Sequence, residues 1–105
     1  MKYTLLVASL MIAASAPAFA GDAEAGQKKS QQCVQCHGPD GNSPAPAFPK
    51  IAGQHYDYIV HSLKDYKSGA RKNPIMAQQA EKLTIRDIED LAAYYSKQRG
   101  LVVKY

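Results

Sequence analysis

The sequence predicts an all-α domain in which three main helices and long loops surround one bound group. Three observations predict it. Apolar residues recur at spacings of three and four over residues 56–66 and 85–95, the period of a half-buried helix. Start and stop signals bracket these stretches and a shorter one near residue 23. Between that shorter stretch and residue 56, residues 38–49 carry so much Pro and Gly that regular structure is excluded there.

The first helix is expected over residues 23–32. Asp22 is placed as its N-cap, Glu24 in its first turn, and Lys28 and Lys29 near its end, each favourable to the helix dipole. Gly26 is costly inside a helix unless another helix approaches closely there. The second helix is expected from about residue 54 or 55 to 68, with Ile59, Leu63 and Tyr66 on one face, Tyr56 and Val60 beside them, and Gly69 ending it. Residues 70–83 read as a loop, with room for a short helical turn over 77–82. The third helix opens on the capping-box pattern Thr84-Ile85-Arg86-Asp87, presents Ile85, Ile88, Leu91, Ala92 and Tyr95 as a stripe, and ends at Gly100.

The chemistry is concentrated in Cys33-Val34-Gln35-Cys36-His37. This is C-x-x-C-H, and the chain has 2 cysteines in all. In an exported protein the pattern is the attachment site for c-type haem: two thiols add to the two vinyl groups along one porphyrin edge, and the adjacent histidine lies under the iron. Both thiols are thereby committed, so a disulfide is not available as a staple. A zinc site from Cys33, Cys36 and the histidines is disfavoured, because structural zinc wants four ligands and there is no second pair.

Export is expected from the N-terminus. Lys2, the ten-residue apolar run 5–14 and Ala18-Phe19-Ala20 form a basic region, an apolar region and an A-x-A site, hence a cleaved signal peptide over residues 1–20. The run is too short to span a bilayer as a helix, which argues against an uncleaved anchor. Residues 21–105 then form one domain of 85 residues, with no further apolar segment and no stable membrane insertion. A chain of this size builds a modest core, so bound haem is expected to be part of what holds it together. Without Lys2, 12 of the 13 Lys and Arg face 9 Asp and Glu, a mild excess of +3. No basic-aromatic array indicates nucleic acid.

A haem with one fixed ligand needs a sixth. Met1 and Met11 leave with the signal peptide, so Met76 becomes the one methionine remaining. It is expected in a loop after Pro74, off any apolar stripe, as the distal ligand of a His–Met pair. His55 and His61 are the rivals; they stand six residues apart and share a helix face poorly. His37 needs an acceptor for its Nδ1–H, and the carbonyl of Pro49 in the wrapping loop is the candidate. Lys64, Lys67, Arg71 and Lys72 cluster near Met76, either to steer an acidic partner or as a solvated helix end.

Four motifs in order resemble the class I c-type cytochromes, and most of all the small monohaem periplasmic group, similar to one half of a dihaem cytochrome of the c-four type. They are residues 33–41 (Cys-Val-Gln-Cys-His-Gly-Pro-Asp-Gly), 48–54 (Phe-Pro-Lys-Ile-Ala-Gly-Gln), 72–76 (Lys-Asn-Pro-Ile-Met) and 90–95 (Asp-Leu-Ala-Ala-Tyr-Tyr). A dihaem member needs a second C-x-x-C-H. The resemblance implies first and last helices crossing at right angles, with Gly26 against Tyr94 or Tyr95. It implies thioethers at Cys33 and Cys36, axial ligation of iron by His37 and Met76, and Pro49 as the carbonyl partner of His37. The expected protein is a periplasmic monomer that cycles Fe(III) and Fe(II) and is not an enzyme. A membrane quinol-oxidising complex would be its donor and a terminal oxidase or reductase its acceptor. The alternatives are a cytochrome subunit of a larger dehydrogenase, and a haem enzyme or gas sensor with a labile sixth ligand.

Overall fold

The computed structural model describes residues 3–9, 11 and 21–100. Among them it contains five helices and no strand: α1 (Ala23–Lys29), α2 (Gln31–His37), α3 (Tyr56–Ser68), α4 (Pro74–Ala80) and α5 (Ile85–Ser96). The A-x-A site of the expected signal peptide lies outside the described residues. No helix among those described is long and apolar enough to cross a membrane.

The segment expected as one helix over 23–32 is two. Asp22 caps α1, its Oδ1 accepting from the amides of Glu24 at 2.9 Å and Ala25 at 3.4 Å. At Ser30 the chain turns: the hydroxyl donates to the Gln27 carbonyl at 2.7 Å, competing with the helical ladder. α2 then restarts and carries the whole C-x-x-C-H pentapeptide. It was illegible as a helix because Ser30 offers it no side-chain cap and its seven residues contain no repeating apolar stripe.

α3 and α5 follow the sequence closely. Ile59 is buried in α3, with Tyr56, Val60, Leu63 and Tyr66 packed against the same core. Gly69 ends the helix at φ 85°, a left-handed conformation that favours glycine. α5 opens on a complete capping box. Thr84 Oγ1 accepts from the Asp87 amide at 3.1 Å, and Asp87 Oδ2 accepts from the Thr84 amide at 2.9 Å. Two details differ from expectation. Ile85 is half exposed, and residues 90–95 are all buried, so α5 is enclosed well beyond one stripe. The helix also stops at Ser96 instead of reaching Gly100. Amides of Lys97 and Gln98 bond back three residues, to the carbonyls of Tyr94 and Tyr95, and tighten the last turn.

α5 is enclosed because both ends of the domain close on it. A Cβ on Gly26 would collide with the carbonyl oxygen of Asp90 and come within 2.8 Å of Tyr94 Cβ. The close approach expected at Gly26 is therefore present, with Tyr94 as the neighbour. Asp90, 1 % exposed, locks this contact. Its Oδ1 accepts from the Asp22 amide at 2.8 Å, and its Oδ2 from Lys29 Nζ at 2.6 Å. Arg86 Nε adds a contact at 3.3 Å, and Lys29 also reaches Asp87 at 2.9 Å. Burial works to raise the Asp90 pKa, but the bonds from Lys29 and the Asp22 amide outweigh it and hold the carboxyl below its ordinary value.

The Pro/Gly-rich loop is tied down at three places. The Gly41 carbonyl accepts from the amides of Ile51 and Ala52, the Tyr94 hydroxyl donates to the Pro39 carbonyl at 2.8 Å, and the Gly53 amide donates to the Tyr95 carbonyl at 2.9 Å. The loop thus has fixed ends on α5, which sets where Pro49 can stand.

Gly26→Ala should destabilise the holoprotein by roughly 2–3 kcal/mol, the upper range for overpacking, since a backbone carbonyl cannot rotate out of the way as a side chain can. Denaturant titration at pH 7 measures it; a loss within error would show that α1 and α5 can separate freely. A group whose folded pKa is depressed stabilises the fold above its unfolded value and loses that contribution as pH falls through the folded value. The Asp90 contribution should thus be intact at pH 7 and 5 and disappear only below about pH 4. Asp90→Asn should cost about 2–3 kcal/mol at pH 7 and flatten the acid limb of the stability profile.

Candidate haem site

A cavity of about 360 Å³ opens between α2, α3, α4, α5 and the wrapping loop. It falls in the range of about 300–1,000 Å³ usual for cofactor sites. Its walls are mostly apolar: Phe48, Ile51, Ile59, Leu63, Ile75 and Leu91 contribute to them. Cys33, Cys36, His37, Pro49 and Met76, which come from three separate segments of the sequence, all border it.

α2 delivers the first three. One helical turn places Cys33 and Cys36 on the same side, and His37, the last helical residue, is 8 % exposed. Neither cysteine is paired in a disulfide, and both border the cavity. His37 Nδ1 lies 2.8 Å from the Pro49 carbonyl oxygen. A carbonyl can only accept, so this contact puts the proton on Nδ1 and leaves the Nε2 lone pair available. Pro49 reaches this position because its loop is fixed at Gly41 on one side and at Gly53 on the other.

Met76 reaches the cavity from the opposite segment, and here the expectation needs correcting. It does not lie in a loop: it sits in the first turn of α4. Asn73 Oδ1 accepts from the amides of Ile75 at 3.1 Å and Met76 at 3.0 Å, and Pro74 occupies the first turn. Asn followed by Pro is a helix-start signal, so the element was legible at 73–74 and not at 77. The cap fixes the backbone from which the Met76 thioether extends. His61 stands elsewhere: its Nε2 faces Asp65 Oδ2 at 3.1 Å on the exposed side of α3, and it does not border the cavity.

The four basic residues make different contacts. Lys67 Nζ donates to the Glu81 carbonyl at 2.9 Å, tying α3 to the turn after α4. The Arg71 guanidinium lies over the Tyr66 ring, 4.8 Å from its centre, and Arg71 borders the cavity. Lys64 and Lys72 are exposed. Sequence reasoning also missed Tyr95, which borders the cavity beside Cys33. Its hydroxyl is buried, makes no hydrogen bond of good geometry among the described residues, and has its pKa driven strongly upward by burial. The stripe pattern placed Tyr95 in the core, but no sequence signal shows which core residue meets a cofactor.

The donor chemistry fits haem c. Two thiols one turn apart, an imidazole with a free Nε2 and a thioether share one apolar cavity of cofactor size. The cytochrome c family model matches residues 23–98. The chain belongs to the cytochrome c family. It is 49 % identical over 92 residues to cytochrome c4 of Stutzerimonas stutzeri, covering 79 % of this chain and 44 % of that protein. The crystal structure of reduced recombinant cytochrome c4 from Pseudomonas stutzeri superposes with a TM-score of 0.74 at 49 % identity, covering 79 % of this chain and 48 % of that one. Cytochrome c-554(548) of Halomonas halodenitrificans is 46 % identical over 82 residues, covering 75 % of this chain and 99 % of that protein. The chain thus spans about half the length of its cytochrome c4 relatives and nearly all of cytochrome c-554(548). The fold is that of a class I cytochrome c, as the four motifs implied, and the cofactor is covalently bound haem c with its iron.

Proposed function

We propose that this chain is a monohaem electron carrier of the periplasm, with His37 and Met76 as the axial ligands. The observation that carries this is the convergence of His37 and Met76, from α2 and α4, on one cavity. Haem iron supplies the chemistry, a one-electron Fe(III)/Fe(II) couple. The chain supplies everything that keeps the couple simple. The Cys33 and Cys36 thiols would hold the porphyrin as thioethers, each sulfur and its proton adding to one vinyl double bond, so that the group could not dissociate. The Pro49 carbonyl fixes the tautomer and ring orientation of His37 and raises its basicity. The Met76 thioether would hold the iron opposite His37 and favour the ferrous state. With both positions held by protein side chains, no substrate would reach the metal and little would rearrange on electron transfer. That is the basis for reading the protein as a carrier and not an enzyme.

Residues 1–20 act in this reading as a signal peptide and residues 21–105 as the haem domain. Its donor would be a membrane quinol-oxidising complex, and its acceptor a terminal oxidase or reductase. A second reading rests on another relative, the cytochrome subunit of sulfide dehydrogenase from Chlorobaculum tepidum, which is 37 % identical over 70 residues. The same haem domain could serve as such a subunit. Size-exclusion chromatography of the native periplasmic fraction separates a free carrier from a bound subunit.

The native protein should be low-spin in both oxidation states and take up carbon monoxide poorly when reduced. Met76→Ala should open the iron, lower the midpoint potential and create rapid carbon monoxide binding, because an open position accepts small ligands. Met76→His should restore six-coordination at a lower potential than the native protein. Rapid carbon monoxide binding by the native protein, unchanged in Met76→Ala, would replace this reading with an open-site haem protein.

A further inference from the structure

One buried phenol in the wall of the cavity has no part in the function above. Tyr95 is 2 % exposed, and its hydroxyl makes no hydrogen bond of good geometry among the described residues. The ring is held in place on several sides. It meets the Tyr94 ring edge-on with centroids 5.0 Å apart, and a Cβ built on Gly41 would come within 2.9 Å of its Cδ1. The backbone is held as well, since the Tyr95 carbonyl accepts from the Gly53 amide at 2.9 Å. A fixed hydroxyl in the core therefore carries a proton that still needs an acceptor, and leaving it unmet is costly.

Two groups face this hydroxyl, Ser30 and Cys33. Ser30 has already given its own proton to the Gln27 carbonyl at 2.7 Å, and it does not border the cavity. Cys33 and Tyr95 both do, and Cys33 packs against the core cluster to which Tyr95 belongs. Cys36 borders the same cavity but, among the described residues, stands outside that cluster. The two thiols of the pentapeptide are thus not equivalent: one of them has a buried donor at its side. Sulfur is a weak acceptor. In an enclosed apolar wall, where water does not compete, a weak acceptor is enough to orient a fixed donor.

We propose that the Tyr95 hydroxyl donates a hydrogen bond to the Cys33 sulfur, which makes Tyr95 the positioning residue for the Cys33 thioether. The proposal rests on the haem reading above. The bond restrains rotation about Cα–Cβ of Cys33 and keeps the sulfur at the cavity wall. One sulfur lone pair accepts from Tyr95, and the other is left to form the new bond. In that addition the sulfur would bond to one vinyl carbon and the thiol proton would pass to the other, with no net oxidation or reduction, while Tyr95 keeps its own proton. A thioether sulfur has no proton and can only accept, so the bond from Tyr95 persists once Cys33 is attached.

The first test uses the holoprotein, unfolded and refolded in D2O so that the buried hydroxyl exchanges, and reads the thioether C–S stretches by resonance Raman. In native protein one of the two C–S stretches should shift between H2O and D2O. Tyr95→Phe, which removes only the oxygen, should keep both bands and lose the shift. Ser30→Ala should keep it. No isotope shift in the native protein would overturn the proposal, and a shift that survives in Tyr95→Phe would do the same by assigning it to another donor. The second test measures, by mass spectrometry, the fraction of chains that carry haem when one cysteine is left. With Cys36→Ala, attachment depends on Cys33, and adding Tyr95→Phe should lower the fraction severalfold. With Cys33→Ala, the same addition should leave the fraction unchanged. Equal losses in the two backgrounds, or no loss in either, would leave Tyr95 as a packing residue and overturn the positioning role. If neither single-cysteine variant carries haem, the isotope shift decides. A native polypeptide recovered without covalent haem would instead overturn the haem reading itself, and this proposal with it.

Discussion

The rest of the structure depends on the cavity. Roughly eighty residues fold around a space of about 360 Å³, and part of their core faces that space. Ile59, Leu91 and Tyr95 are buried residues that also border it. A small domain has little apolar area to spare. Here several apolar side chains border a space that a cofactor would fill, so folding and cofactor binding share one free energy. The absence of a disulfide is consistent with this, since both thiols line the same space.

Around the cavity the chain is closed by polar bonds at a few points. Asp90 joins the start of α1, the end of α1 and the body of α5 through one carboxylate, and Gly26 lets the two helices come close enough for it to do so. Because α5 is fixed in this way, it can anchor the wrapping loop through Tyr94 and Tyr95. The loop in turn carries Pro49 to His37. An ion pair at the α1–α5 contact and a hydrogen bond beside the proposed iron ligand are thus successive links of one chain of contacts. The opposite wall is held more locally, by the Asn73 cap under Met76 and by Lys67 bridging to the Glu81 carbonyl.

The parts legible in the sequence are those written in local pattern. The Thr84–Asp87 capping box, the Asp22 cap and the stripe of α3 each depend on residues within a few positions of one another, and the structure has them where the pattern put them. Gly26 was legible because a glycine inside a helix needs a reason. α2 was not, because a short uncapped helix is held by its neighbours and leaves no periodic signal. The start of α4 lies at Asn73-Pro74, earlier than its apolar pattern suggests, because an Asn cap followed by Pro looks locally like a loop. Within the site, chemistry gave Cys33, Cys36, His37, Pro49 and Met76, and all five border one cavity. What escaped was set by tertiary contact: the burial of Asp90, the burial of the Tyr95 hydroxyl beside the cavity, and the stacking of Arg71 over Tyr66.

The central claim is that haem completes the core. Far-ultraviolet circular dichroism and thermal unfolding of the Cys33→Ala, Cys36→Ala double variant, expressed without haem attachment, test it most directly. The account predicts weak helical signal and no cooperative unfolding transition, against a sharp transition in the holoprotein. A helical, compact variant that unfolds cooperatively near the holoprotein's temperature would contradict it, because the chain would then have closed its core without the cofactor.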